Sequence, residues 1–141
     1  MKILLIEDSS AESRLVQMEL EKLGLEVIMK DRVPEKWLVC HVILTSLELR
    51  RTSDEETINA IRKIWPMHPL VALTGSKDYL VHSNVLEAGA SAVFCKGEQD
   101  ITTIVRAMKT AVNLQEKSVA LMSDLLARAK KVLEELDIDN D

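Results

Sequence analysis

The sequence has few basic residues and no long apolar run near its start, and both shortages exclude functions. Its 18 Lys and Arg residues are outnumbered by 23 Asp and Glu residues, which gives a formal net charge of −5 at pH 7. Such a chain offers no basic stripe to a phosphate backbone, so we expect no nucleic-acid binding. The apolar run after Met1 ends at Glu7 and Asp8, which is too short for a signal sequence or a membrane span. We therefore expect a cytoplasmic protein that does not bind membranes.

Cysteine and glycine are also scarce. The two cysteines, Cys40 and Cys95, lie in apolar strand-like stretches and lack the close spacing of metal ligands. We expect two buried, reduced thiols rather than a disulfide or a zinc site. The four glycines do not form a glycine-rich phosphate loop, which argues against a bound cofactor. We therefore expect a protein without a cofactor.

What the sequence does contain is an alternation of short apolar stretches with amphipathic helical stretches. With 47% hydrophobic residues in 141, the chain can build one domain with a real core. Nearly continuous apolar runs indicate strands buried on both faces. The alternation predicts a doubly wound α/β fold with a five-stranded parallel sheet. The predicted strands are 2–7, 25–29, 39–47, 69–75 and 91–96, and the predicted helices are 9–24, about 54–65, about 78–88 and 100 onward.

The connection between the second and third predicted strands is unusually short. Residues 30–39 read KDRVPEKWLV and include Pro34, which interrupts helical hydrogen bonding. We expect a shortened second helix there, of at most about two turns.

Polar residues stand where the predicted strands end. In doubly wound sheets, ligand sites gather at the carboxyl ends of the strands. Acids, hydroxyls and one lysine should therefore converge on one edge of the sheet. These residues are Glu7 and Asp8 after the first strand, Thr45 and Ser46 after the third, Thr74 after the fourth and Lys96 after the fifth.

Three stretches within residues 1–113 carry a resemblance to a known family: ILLIEDSSAESRLVQMELEKLG, VALTG and EAGASAVFCKG. In this order they resemble the opening, the fourth strand and the approach to the fifth strand of the receiver domains of bacterial two-component response regulators. The resemblance implies a flavodoxin-like receiver fold, an acid pair that helps to hold a divalent cation, and two switch residues. The acid pair falls on Glu7 and Asp8, the switch hydroxyl on Thr74, the switch aromatic on Phe94 and the family's lysine on Lys96.

The phospho-acceptor position of the family carries a serine in this chain. The third strand of the family reads hydrophobic run, Asp, Leu, any residue, Leu, Pro, and this pattern lies on VILTSLELR with the Asp at Ser46. A serine hydroxyl is neither the ionised nucleophile nor the anionic metal ligand that aspartyl phosphorylation requires. The resemblance therefore implies a degenerate receiver, or pseudo-receiver. We expect no enzyme activity, no catalytic residues, and at most weak metal binding through Glu7 and Asp8.

Each residue of the predicted site also has a purely structural interpretation. Glu7 and Asp8 can cap the first helix, where negative charge opposes the helix dipole. Thr74 can satisfy backbone groups at the strand end, and Phe94 can pack rather than switch. Without a phosphoryl partner, Lys96 is expected to pair with Asp8 or Glu7.

We interpret the chain as an atypical response regulator that acts in a signalling pathway by binding a protein partner, without aspartyl phosphorylation. The resemblance places the partner surface on the family's fourth helix, fifth strand and fifth helix. Two alternatives stay open at this point. The short second connection and the altered loop after Ser46 could open a pocket for a small molecule or redox cofactor, or a serine kinase could phosphorylate Ser46.

The helical pattern continues past the expected end of the domain. No Pro or Gly interrupts it up to Leu136, and alternating steps of four and three residues place apolar side chains on one seam, in which Gln115 alone is polar. We expect residues 114–141 to form a helical extension that joins two copies in a coiled-coil homodimer. A coiled coil of two parallel helices is favoured, and a four-helix arrangement is permitted. The alternative is that the extension folds back onto its own domain. The predicted dimer seam comprises Val119, Met122, Leu126, Ala129, Leu133 and Leu136.

Overall fold

The computed structural model describes the backbone of residues 1–140 and the side chains of residues 1–137. It contains five strands and four helices. In chain order they are β1 (Lys2–Ile6), α1 (Ser10–Lys22), β2 (Glu26–Lys30), β3 (Val42–Ser46), α2 (Asp54–Ile64), β4 (Leu70–Thr74), α3 (Tyr79–Ala88), β5 (Ala92–Cys95) and α4 (Ile101–Asn140).

The strands form one parallel sheet in the order β2-β1-β3-β4-β5. Every residue of the central strands β3 and β4 is buried, as expected for strands that helices cover on both faces. The edge strand β2 is partly exposed. This arrangement confirms the predicted doubly wound sheet.

The helices pack on the two faces of the sheet and divide the core into two clusters. On one face, α2 and its C-cap bury Ile58, Ile61 and Trp65 against the sheet, and α3 contributes Val85. On the other face, α1 contributes Leu20, and the first turns of α4 contribute Met108 and its neighbours. Both faces are therefore closed by helices, so only the edges of the sheet are free to hold a site.

Side-chain caps set where the helices begin. The Ser9 hydroxyl accepts a hydrogen bond from the backbone N–H of Glu12, and the Ser53 hydroxyl accepts one from Glu56. The carboxylate of Asp78 caps α3 in the same way. The β1–α1 and β3–α2 loops are short and well anchored as a result, and they carry the polar residues at the edge of the sheet.

The connection between β2 and β3 differs from the expectation. The predicted shortened helix is absent, and residues 31–41 contain no helix at all. Pro34 removes one backbone donor, and Val33 and Leu38 pack instead against the α2–α3 side of the core. The indole N–H of Trp65 donates to the carbonyl of Leu38 at 3.1 Å, which holds this irregular segment on the domain.

Helix α4 changes its surroundings along its length. Its first turns bury Ile104, Val105 and Met108 against the sheet, whereas every side chain from Glu116 to Asp137 is exposed. In the described part of the chain, no helix combines the length and apolarity that crossing a bilayer requires.

Cys40 and Cys95 are both buried and free of disulfides, as predicted, and burial raises the pKa of the Cys40 thiol to about 11.

Candidate functional site

The carboxyl ends of β1, β3, β4 and β5 meet at one edge of the sheet, which we call the rim. The strand register places Ile6 beside Thr45, Ser46 beside Leu73, and Thr74 beside Cys95. The predicted polar residues therefore lie next to one another in space, as parallel strands require.

Glu7 and Lys96 lie together at the rim. The Lys96 Nζ is 3.6 Å from Glu7 Oε2 and 3.5 Å from Glu12 Oε2. The ion pair predicted for Lys96 is therefore made with Glu7 and not with Asp8. Glu12, in the first turn of α1, was not predicted as a partner, because its contact with Lys96 depends on how α1 packs across the strand ends.

The Glu7 carboxyl is buried, with only 7% of its surface exposed. Burial raises its pKa above the ordinary value. The backbone N–H of Ser9, which donates to Glu7 Oε1 at 3.1 Å, and the Lys96 ammonium oppose this rise in pKa, whereas the Glu12 carboxylate adds to it. Desolvation is the dominant influence, so Lys96 only partly compensates the buried charge.

Asp8 has a different role. Its Oδ2 accepts a hydrogen bond from the backbone N–H of Arg50 at 2.8 Å, which ties the β1–α1 loop to the β3–α2 loop. Glu7 and Asp8 are therefore bound to separate partners. Among the described residues, no group of three or more His, Cys, Asp or Glu side chains is arranged to hold a metal ion.

Ser46 lies at the end of the central strand β3 and is only 2% exposed. Its hydroxyl makes no hydrogen bond with any residue that the structure describes, while its carbonyl accepts one from the Thr45 hydroxyl at 2.9 Å. Among the described residues, every side-chain nitrogen or oxygen that is fully buried has a hydrogen-bond partner. Because the Ser46 Oγ has no such partner, part of its surface must be accessible to solvent. That surface faces the cavity described below.

Glu48 is a second residue at the rim that sequence reasoning missed. Its Oε1 accepts a hydrogen bond from the Thr74 hydroxyl at 2.6 Å, and its two carboxylate oxygens lie 3.1 and 3.2 Å from the backbone nitrogen of Gly75. The predicted switch hydroxyl is thus bonded to a carboxylate of the same chain. In the family's pattern Glu48 falls on the position that accepts any residue, so the pattern contained no signal for it.

The loop that presents Glu48 has an unusual backbone. Glu48 and Arg51 have positive φ angles of 57° and 64°, a conformation that costs a non-glycine residue about 1 kcal/mol or more. The backbone N–H of Glu48 donates to Asp54 Oδ1 at 3.0 Å, which helps to offset this cost. The loop therefore holds the Glu48 carboxylate at Thr74 at the expense of local strain.

A cavity of about 260 Å³ opens beside the rim, between α1, β5 and the start of α4. Ser46, Glu7 and Lys96 line its polar end. Leu5, Val16, Leu73 and Ile104 are among the apolar residues that line the rest. Phe94 does not line this cavity; it is half-buried and packs against the α1–α4 side of the core.

Comparison with known proteins identifies the fold. No family model and no curated protein sequence matches the chain. A CheY-like response regulator receiver domain from Methanospirillum hungatei is 22% identical, with a TM-score of 0.73 over 83% of this chain and 97% of that one. A receiver domain from Clostridium thermocellum is 24% identical, with a TM-score of 0.72 over 82% and 96% of the two chains. The chain has the receiver fold.

A further structure is similar to this chain over both the receiver fold and the long helix. It is a fusion protein that carries the trimeric coiled coil of yeast Spc42, and it is 24% identical, with a TM-score of 0.75. The match covers 98% of this chain and 95% of the fusion. The similarity therefore extends along α4 beyond the receiver fold itself.

The structure also shows where the two features that the sequence analysis singled out are placed. Ser46 ends the central strand, where the alignment of the third strand placed the acceptor. The predicted dimer seam lies on the exposed part of α4, and every one of its residues is exposed to solvent. These residues are Val119, Met122, Leu126, Ala129, Leu133 and Leu136.

Proposed function

We propose that this chain is a degenerate receiver that acts in signal transduction by binding a protein partner, without aspartyl phosphorylation and without enzyme activity. One observation carries the proposal. The acceptor position holds Ser46, and the switch hydroxyl of Thr74 is already bonded to the Glu48 carboxylate. The receiver fold itself suggests response-regulator signalling, because the similar structures are receiver domains.

The chemistry of Ser46 supports this proposal. A serine needs a general base to act as a nucleophile. Among the described residues, no histidine lies at the rim beside Ser46. The His41 Nδ1 accepts from the backbone N–H of Lys2 at 2.9 Å, and the His82 Nε2 lies 2.8 Å from the carbonyl of Ser76.

Metal binding is expected to be weak at most. A divalent cation would need Glu7 and Asp8 together, but Glu7 faces Lys96 and Asp8 accepts from the backbone of Arg50. The serine supplies no carboxylate in place of the acceptor. Magnesium affinity should therefore fall well below that of a receiver with an aspartate at this position.

The Glu48 contact explains how the switch could do without a phosphoryl group. The Thr74 hydroxyl is fully buried, and its hydrogen bond to Glu48 is short. A carboxylate is a charged acceptor and holds a hydroxyl about twice as strongly as a neutral acceptor does. The switch hydroxyl is then held in one position, and the surface that it influences stays in one state.

The proposed partner surface is formed by α3, β5 and the first turns of α4. A groove of about 540 Å³ runs along it, lined by Ala92, Phe94, Arg106 and Ala107 among others. Leu86 on α3 is also exposed. A protein partner that covers this face would bury apolar surface together with Arg106, and aromatic residues and arginine are enriched in interfaces.

The α4 extension is proposed to join two copies of the chain. Its seam is apolar and exposed, and apolar stripes of this kind on helices are commonly buried by other helices. The similarity to a structure that carries a trimeric coiled coil supports association through this helix. We favour the homodimer because Val119 occupies one seam position and the polar Gln115 occupies the seam position before it.

Phosphorylation of Ser46 by a serine kinase is the less favoured candidate, since 98% burial leaves little of the hydroxyl for a kinase to reach. The cavity beside Ser46 is a specific observation in favour of the other alternative, a pocket for a small molecule.

The proposal is tested by incubating the protein with acetyl phosphate and magnesium and measuring the intact mass. We expect no phosphoryl adduct on the unmodified chain. The Ser46→Asp variant restores the missing carboxylate and should regain magnesium binding, measured by calorimetry. Stoichiometric phosphorylation of the unmodified chain would overturn the proposal.

A further inference from the structure

We propose that the cavity beside the rim binds a small uncharged molecule with an apolar body and one oxygen-containing head group. The cavity is the space of about 260 Å³ between α1, β5 and the start of α4. The inference does not depend on how the chain signals, because it uses only the shape, polarity and charge of this cavity.

The polar end of the cavity has hydrogen-bonding capacity that the protein does not use. The Ser46 side chain is almost completely buried, lines the cavity, and has no hydrogen-bond partner among the described residues. The Lys96 ammonium also lines it, and its two carboxylate contacts are 3.5 and 3.6 Å long. These contacts exceed the usual hydrogen-bond range of about 2.7–3.2 Å, so Lys96 can still donate to a ligand oxygen.

The rest of the cavity is apolar. Leu5 and Leu73 form its floor from the sheet, and Val16 and Ile104 line it from α1 and α4. At the mouth, 62% of the Leu15 surface is exposed. An apolar ligand body would cover these side chains and remove them from water.

The charges around the cavity select an uncharged ligand. Three glutamates, Glu7, Glu12 and Glu19, line it together with the single cation Lys96. A bound anion would be repelled by the excess of negative charge, and a bound cation would compete with Lys96 for the same carboxylates. A carbonyl or hydroxyl avoids both costs and can pair with Ser46 and Lys96.

The volume limits the ligand to a small molecule. At about 30 Å³ for each water-sized group, 260 Å³ holds roughly eight or nine such groups. The cavity lies just below the lower end of the usual range for drug-sized ligands, about 300 Å³. A ketone or alcohol with a short alkyl chain therefore matches both the size and the polarity of the cavity.

The test is a titration of ¹⁵N-labelled protein followed by NMR, with three probes of matched length: 2-heptanone, hexanoate and heptylamine. We expect 2-heptanone to shift the amide signals of Gly97 and Ile104 in a saturable way. Hexanoate and heptylamine should bind at least tenfold more weakly. Ser46→Ala should weaken ketone binding about three- to tenfold, the worth of one ordinary hydrogen bond.

A filled cavity provides the decisive variant. Val16→Trp should abolish ketone binding, whereas Leu80→Trp, which introduces the same side chain at an exposed position of α3 outside the cavity, should leave the affinity unchanged. The NMR spectrum of each variant shows that it is folded. Absence of saturable shifts with 2-heptanone, equal affinity for hexanoate, or undiminished binding in folded Val16→Trp would each overturn the proposal.

Discussion

At the scale of single residues, the rim holds two separate polar groups. Glu7, Glu12 and Lys96 form a loose ion cluster beside the cavity. Thr74 and Glu48 form a second, tightly bonded pair. The first group is a charge-balancing arrangement around a buried carboxylate, and the second fixes the position of the Thr74 hydroxyl.

Lys96→Ala should destabilise the protein at neutral pH and much less in acid. Glu7 has a folded-state pKa above its ordinary value of 4.5, so its contribution to stability falls as the pH rises through this range. Removing the Lys96 cation raises that folded-state pKa further, which enlarges the loss at pH 7. Well below pH 4.5 the carboxyl is protonated in both states and the loss disappears. We expect a loss on the order of 1 kcal/mol at pH 7, measured by urea unfolding.

Lys77→Ala is the matched control for this prediction. Lys77 pairs with Glu98 at 3.1 Å near the rim, but its side chain is 77% exposed. Its removal should change stability little at any pH. Equal stability of Lys96→Ala and the unmodified protein at pH 7 would contradict the role assigned to the Lys96–Glu7 pair.

Glu7 and Lys96 of the first group and Thr74 of the second could be predicted from the sequence, whereas Glu12 and Glu48 could not. Glu7 and Lys96 follow apolar strands directly, and parallel strands bring their ends together. Glu48 reaches Thr74 only because its backbone has a φ of 57°, and nothing in a glutamate's identity marks a left-handed conformation. A contact between residues 48 and 74 that depends on such a turn has no local signal.

At the scale of elements, the connection between β2 and β3 is the largest departure from expectation. Pro34 indicated that a long helix was impossible, but not that the segment would dispense with a helix altogether. The strands were predicted well because short, nearly continuous apolar runs that alternate with amphipathic helical stretches are typical of strands buried in a parallel sheet. An irregular segment is determined by its tertiary contacts, and these are not visible in the local sequence.

Trp65→Phe should weaken the attachment of this connection. The Trp65 indole is fully buried and donates to the Leu38 carbonyl, so the variant leaves that carbonyl unpaired and creates a small cavity. We expect the free energy of unfolding to fall by about 1–3 kcal/mol, measured by urea titration. Trp37→Phe is the control, because Trp37 is 54% exposed in the same connection and should cost little. Equal losses in the two variants would contradict this assignment.

At the scale of the whole molecule, α4 connects the receiver fold to a long exposed stripe. The extension from about 114 to 136 projects roughly 33 Å at 1.5 Å per residue. A domain of this size cannot cover a helix of that length along its side. We therefore expect the extension to pair with a second helix, and a second copy of the chain offers an identical one.

The full chain should be a dimer, and a version ending at Leu114 should be a monomer, as measured by light scattering. Leu126→Asp on the seam should dissociate the dimer, because it places a charge at its centre. Ala127→Asp, one residue away and off the seam, should leave the dimer intact. If the full chain and the truncated version both run as monomers, the extension serves a different partner.

The central claim is that the rim no longer responds to a phosphoryl group. It is tested most directly by adding beryllofluoride, a phosphoryl analogue, with magnesium to the ¹⁵N-labelled protein and recording the NMR spectrum. We predict that the amide signals of Thr74, Gly75 and Lys96 stay where they are, because Ser46 offers no carboxylate and Glu48 already holds the Thr74 hydroxyl. Saturable shifts of these three signals would contradict the account.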